Sequence, residues 1–447
     1  MARKKSGDRR RLFGVPELLA LATAAILMQP EGSFAGVADE PLQAASGFKP
    51  NESQVSSQAD LIDPEYDQAT SRFTWVDSEG SLWVGFVDDT GMFQPPSGKG
   101  ILVDQDAMKI VDLRVTANGP EWIPTSQGPM IVYTKFLAGH PHIPRHARLA
   151  IARVSAPGAP DWIHEFLGPT EPRMSPYASK DADDPAPRIT YIDSNKAHYW
   201  AEIFRPDQEF PIPVIAPSLL GVRFVPNTRM IVYTAPTPID SVAQVFRHDL
   251  DTGETEQLTF DTTGEKSAGS VWMWRAPEYD NEYVFAVLVY LDLASRLDIY
   301  RQVPGPGDGT TAWTKIHSIS APLSKIGSPE PFVFDGRSYI SLQMTVGQDE
   351  YPTSIWLAGI DPANPLLRKV SDDSLFRWRT DPEVFITNQG PYIYYNRRDP
   401  ADPNQCGASC SEGIFRAHTG LWPQARKAVD PQTERPMETG AADSGED

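Results

Sequence analysis

Four glutamates that each directly follow a proline recur at a spacing that makes them the residues of this sequence best placed for shared chemistry. They are Glu121, Glu278, Glu330 and Glu383; the last two steps are 52 and 53 residues, and the first is 157, close to three such steps. Carboxyl groups brought together raise one another's proton affinity. One can then hold a proton while another stays ionised, which suits general acid and base work on a glycosidic bond. Asp381, Trp274 and Arg275 flank the glutamates, and an indole face can stack on a sugar ring. A residue that returns at a structural period can equally be a building device, for example one binding backbone amides of the next repeat.

Other candidates are more scattered. His140, His142 and His146 lie in a segment that Pro141 and Pro144 make a loop, where imidazoles could hold a metal or move a proton or simply face water. Arg145 and Arg148 beside them suit a substrate carboxylate. Asp181, Asp183 and Asp184 lack EF-hand spacing and read as a solvated loop, while Asp249 and Asp251 serve a turn. Cys406 and Cys410 are the only cysteines, and in an oxidising compartment they are expected to form one small local disulfide. No metal site is assigned, the cofactor content is left unknown, and no nucleophile elbow, phosphate-binding glycine loop or dinucleotide fingerprint is present.

Such residues need elements to carry them. From residue 66 to about 425 the chain repeats a strand-like run, a turn rich in Gly, Asp or Asn, and a second run rich in β-branched and aromatic residues. Seven copies begin at Phe73, Pro120, Pro187, Gly221, Pro277, Pro329 and Pro382, the third being the most irregular. Met-Ile-Val-Tyr-Thr occurs at 130 and again at 230. A period near 50 fits one four-stranded blade per copy, because a lone sheet leaves its faces uncovered and stacking around an axis buries them. The expected fold is therefore all-β: a β-propeller of seven blades, with six as the alternative, each a four-stranded antiparallel sheet. Ten tryptophans from Trp75 to Trp378 supply large side chains for blade-to-blade packing.

The segment from Phe246 to Phe260, with Asp249-Leu250-Asp251-Thr252-Gly253-Glu254 and then Gln257-Leu258-Thr259, resembles the repeat of TolB-like propellers. Arg275 to Phe285, followed by Asp298-Ile299-Tyr300, is similar to the same family. Trp274 to Glu278, Ser328 to Glu330 and Asp381 to Glu383 resemble the blade starts of five-bladed glycoside hydrolases. That second likeness implies carboxylates from several blades set around a central funnel. Both imply a propeller, and they differ on function.

The formal net charge is −19. The first 35 residues hold six basic and three acidic groups, so the rest carries 34 against 56, or −22. A surface this acidic excludes nucleic acid as an expected partner. Residues 1–35 read as an export signal: a basic head from Arg3 to Arg11, an apolar run from Val15 to Met28 too short for a stable membrane span, and a small-x-small cleavage pattern ending at Ala35. Arg10-Arg11-Leu12-Phe13 resembles the twin-arginine motif, an ordinary secretory signal being the alternative. Residues 36–65 read as a disordered linker and 426–447 as a disordered acidic tail. The functional expectation is a periplasmic or extracellular propeller that binds a protein or carbohydrate ligand at its axial face without catalysis. The alternative is a polysaccharide hydrolase or lyase using carboxylates of the central funnel.

Overall fold

The computed structural model describes residues 48–61, 64–108, 118–140, 143–156, 160–213, 222–237, 242–260, 265–291, 294–304, 311–321, 324–345, 352–399 and 411–423. The expected signal segment, the acidic tail, His142 and both cysteines lie outside them. The described residues form seven antiparallel sheets of four strands, one of which gains a fifth short strand. The protein is a seven-bladed propeller, which excludes the six-bladed alternative and the five-bladed plan of the glycoside hydrolase resemblance. No helix among the described residues is long and apolar enough to cross a membrane.

The innermost strands, in blade order, are Glu65–Asp67, Glu121–Ile123, Arg173–Ala178, Arg223–Phe224, Glu265–Ala276, Ile326–Phe334 and Trp378–Thr387. Each is an edge strand of its sheet, with the other strands stepping outward in sequence order except for the outermost strand of blade 7.

Alternation along the strands explains the ring. Side chains of successive strand residues leave by opposite faces. In blade 2, Ile131 and Tyr133 pack with Val76, Leu82 and Val84 of blade 1, while Met130 and Val132 pack with Ile189 and Tyr191 of blade 3. In blade 5, Val271 and Met273 face Val232 and Val245 of blade 4, while Trp272 and Trp274 join Ile340 and Leu342 of blade 6. One apolar cluster fills each of the seven junctions. No blade could bury both its faces alone, so the junctions are the core.

The ring closes by strand pairing. Ser53–Ser56, inside the stretch expected as a linker, pairs antiparallel with Ser411–His418 and becomes the outer strand of blade 7. Polar composition alone suggests a linker there, but strand pairing needs only backbone groups and a matching edge. A buried ionic cluster fixes the strand. Glu52 accepts from Arg379 Nε at 2.9 Å, Arg397 Nη1 at 2.9 Å and Tyr395 Oη at 2.8 Å. Arg379 is fully buried.

The sequence repeats are not all in phase with the blades. Those starting at Phe73 and Pro187 cover second and third strands, so the irregular third unit is one strand late. The unit at Pro277 starts after its inner strand has ended, in a 3-10 turn over Pro277–Tyr279.

Candidate functional site

In five of the seven blades the residue immediately after a proline, lying within the inner strand or directly before it, lines one central cavity. These pairs are Pro64-Glu65, Pro120-Glu121, Pro176-Tyr177, Pro329-Glu330 and Pro382-Glu383. Proline cannot donate to a strand ladder, so it is confined to edges, strand starts and bulges. An inner strand offers those places. In blades 3, 6 and 7 the register shifts between Met174 and Tyr177, between Gly327 and Glu330, and between Thr380 and Glu383. Each bulge contains a residue in left-handed backbone directly before the proline: Ser175 at φ 57°, Ser328 at φ 42° and Asp381 at φ 60°. Non-glycine residues adopt this region at a cost, and such strain concentrates where a side chain must be aimed.

The cavity has a volume of about 660 Å³. Its wall divides by blade. Glu330 of blade 6, Asp381 and Glu383 of blade 7, Glu65 of blade 1 and Glu121 of blade 2 form an acidic arc of four consecutive blades. Tyr177 and Lys180 of blade 3, Arg223 of blade 4 and Trp272 and Trp274 of blade 5 form the opposite arc.

Two ion pairs bridge the arcs. Lys180 Nζ donates to Glu121 Oε2 at 2.7 Å and to the Trp122 carbonyl at 3.1 Å, and Asn118 Nδ2 donates to Glu121 Oε1 at 2.8 Å. Arg223 Nη2 lies 3.7 Å from Glu330 Oε1, with its guanidinium 4.4 Å from the Trp272 ring and 5.3 Å from the Tyr177 ring. Planar guanidinium between aromatic faces is a geometry lysine could not reproduce.

Electrostatics set the carboxyls apart. Burial is the largest influence on Glu330 and pushes it up; Arg223 opposes this, Glu121 and Asp381 reinforce it, and the result is about 7. Glu65 is also raised well above the ordinary carboxylate range, first by burial and then by Glu121, with Lys180 opposing. Burial works against the Lys180 ammonium, yet Glu121 and Glu65 together raise its proton affinity. The cavity thus holds a carboxyl that titrates near neutral pH beside a second carboxyl clamped by Lys180 and Asn118, an arrangement able to donate and accept protons.

The sequence-predicted residues fall into two sets. Glu121, Glu330, Glu383, Asp381 and Trp274 line the cavity. Glu278 does not: it accepts from the Ser338 backbone N–H at 2.8 Å and from Ser338 Oγ at 2.9 Å, joining blade 5 to blade 6. Arg275 is exposed, donating to the Asn281 carbonyl and to Tyr283 Oη. His140 and Arg145 belong to the connection between two strands of blade 2, where Arg145 Nε donates to His146 Nε2 at 3.2 Å and the rings of His140 and His146 lie 4.9 Å apart; neither lines the cavity. Among the described residues no group of three or more His, Cys, Asp or Glu side chains is arranged to hold a metal ion. Sequence reasoning missed Glu65, Lys180, Arg223 and Trp272. Glu65 carried the same Pro-Glu signal as the others, in Pro64-Glu65.

No family model matches the sequence. No curated protein matches it either. Solved structures do show similarity. An acylaminoacyl peptidase is similar at 10% identity and a TM-score of 0.42, over 76% of this chain and 50% of that one, so the chain spans half the length of the peptidase it matches. TolB from Acinetobacter baumannii is similar at 12% identity and a TM-score of 0.35, over 68% of this chain and 80% of that one. A glycoside hydrolase is similar at 11% identity and a TM-score of 0.31, over 69% and 88%. The likeness is one of architecture: this chain is an all-β, seven-bladed propeller similar to TolB, to a peptidase and to a glycoside hydrolase alike.

Proposed function

We propose that the chain is an exported propeller that binds a glycan by taking part of it, such as a chain end, into the axial cavity. The observation that carries this reading is the cavity itself. A protein partner held by a flat face needs about 800 Å² per side, whereas a concave site of a few hundred cubic ångströms suits a small or chain-end ligand. The wall supplies what a polyhydroxylated ligand needs: carboxyl oxygens to accept from hydroxyls, and Lys180 and Arg223 to donate. Tyr290, exposed on the wall, and Trp274 add aromatic surface. The test is binding of purified protein to a polysaccharide panel followed by tryptophan fluorescence. Saturable quenching by at least one glycan is expected, and its loss on Arg223→Ala would tie it to the cavity. A panel with no saturable binder defeats the reading.

A second reading, glycoside hydrolysis, is favoured by one observation, the upward push on Glu330 beside Glu121 and Asp381. Glu330 would be the proton donor. Reducing-end release from the bound glycan, lowered about 100-fold or more in Glu330→Gln with binding retained, is the expected outcome. No release from any bound glycan leaves the protein a binder.

A further inference from the structure

The axial cavity is too small for a polymer. At about 660 Å³ it lies in the range that encloses a drug-sized molecule, so the rest of a longer glycan must leave across the mouth. The aromatic residues of the described wall show where the mouth is. Tyr177, Phe224, Trp272 and Trp274 are buried and Tyr66 is half-buried, whereas Tyr290 is 44% exposed. A ring that lines the cavity and also meets solvent marks the opening.

Tyr290 ends the second strand of blade 5, Glu282–Tyr290, and is the register partner of Glu265, the first residue of the inner strand. Leu291 follows in a turn closed by its N–H donating to the Ala294 carbonyl at 2.9 Å, and it is 42% exposed. Antiparallel neighbours run in opposite directions, so the turn leaving a second strand and the segment entering an inner strand lie at the same end of a blade. That entering segment follows the outer strand of blade 4, Thr255–Gln257, and contains Phe260, which is 75% exposed. Leu258, two positions earlier, packs with Val289 in the junction of blades 4 and 5. Three large apolar side chains therefore stand in the open at one end of one junction, and one of them belongs to the cavity wall. Leu375 and Phe376, in the segment entering blade 7, are also exposed, but neither lines the cavity.

We infer that the cavity takes the end of a polymeric glycan whose chain leaves over blade 5, its next sugar rings lying on Tyr290 and then on Phe260. This rests on the glycan reading above. A pyranose ring has a C–H face and an edge of hydroxyls. An exposed phenol beside a polar wall matches both, with a flat apolar face and a hydroxyl at its rim. Continuity with the cavity singles out the chain's own continuation as the occupant of these rings, whose exposure is unfavourable in water alone.

Isothermal titration calorimetry on the full chain tests the proposal, using cello-, xylo-, manno- and N-acetylchito-oligosaccharides from dimer to hexamer. In at least one of these series the hexamer should bind at least about tenfold more tightly than the dimer. Tyr290→Ala should remove most of that gain and Tyr290→Phe should keep it. Phe260→Ala should weaken hexamer binding with dimer binding unchanged, and Phe376→Ala should change neither. All three positions are exposed, and the dependence on chain length in the unmodified protein still decides if a variant fails to fold. Equal binding of dimer and hexamer, or a gain untouched by both Tyr290→Ala and Phe260→Ala, overturns the path over blade 5 and leaves the glycan reading intact. A gain lost in Phe376→Ala instead overturns it in favour of blade 7. Binding of no hexamer also overturns the path, and the polysaccharide panel then decides the glycan reading by itself.

Discussion

At the scale of single residues, Glu330 offers the clearest consequence. Its carboxyl is raised from an ordinary 4.5 to about 7 in the folded ring. The folded state therefore binds more protons than the unfolded chain between those two values. Stability must fall as pH rises through that window and level off above it, since stability drops with pH wherever the native state holds the extra proton. Glu65, raised for the same reason, adds to the slope. The Tm of the unmodified protein is expected to decline from about pH 5 to about pH 7.5, and Glu330→Gln, which has no charge to bury, should flatten that decline and raise the Tm at the upper end. An unchanged slope in the variant, measured by calorimetry across the range, would place the titrating group elsewhere.

At the scale of elements, the contrast between Glu278 and Glu330 shows what a proline pair can and cannot reveal in sequence. Proline marks an interruption of a ladder, but it does so both inside an inner strand, as at Pro329, and beyond its end, as at Pro277. Only the length of the preceding strand tells the two apart, and Glu265–Ala276 is longer than its counterparts because it carries its register shift between Lys266 and Val271 instead of at a proline. Glu65 was legible by the same motif but sat before the first aromatic run. Lys180, Arg223 and Trp272 had no motif, because their place on the wall comes from the closing of the ring and from no local pattern. The placement of Glu278 carries its own prediction. Glu278→Ala removes two hydrogen bonds to a buried Ser338 and should cost about 1–3 kcal/mol of stability without altering ligand affinity. Loss of binding in a folded Glu278→Ala protein, by calorimetry, would argue that Glu278 does more than join two blades.

At the scale of the whole molecule, the blade count was readable because the period follows from backbone length per sheet, whereas the closure was not. Ser53–Ser56 has an unremarkable polar sequence, and its partner lies more than 350 positions away, with Ser53 opposite Arg416. What distinguishes the segment is Glu52, whose carboxylate has meaning only beside Arg379 and Arg397. Removing one side of a buried ionic cluster strands the other. Glu52→Ala should therefore cost about 3–5 kcal/mol, seen as a lowered denaturation midpoint. A loss below about 1 kcal/mol would mean that the strand is held by its ladder alone.

The same closure brings the two ends of the described chain together. Phe48 lies under the Arg368 guanidinium at 4.4 Å and so close to Gly420 that a side chain there would strike its ring. The order in which the blades are encoded is thus separable from the order in which they sit. A circular permutant of residues 48–423, with Pro423 bridged to Phe48 by a short linker and the chain cut instead in an exposed connection such as Thr252-Gly253 of blade 4, would present the same cavity from a reordered gene.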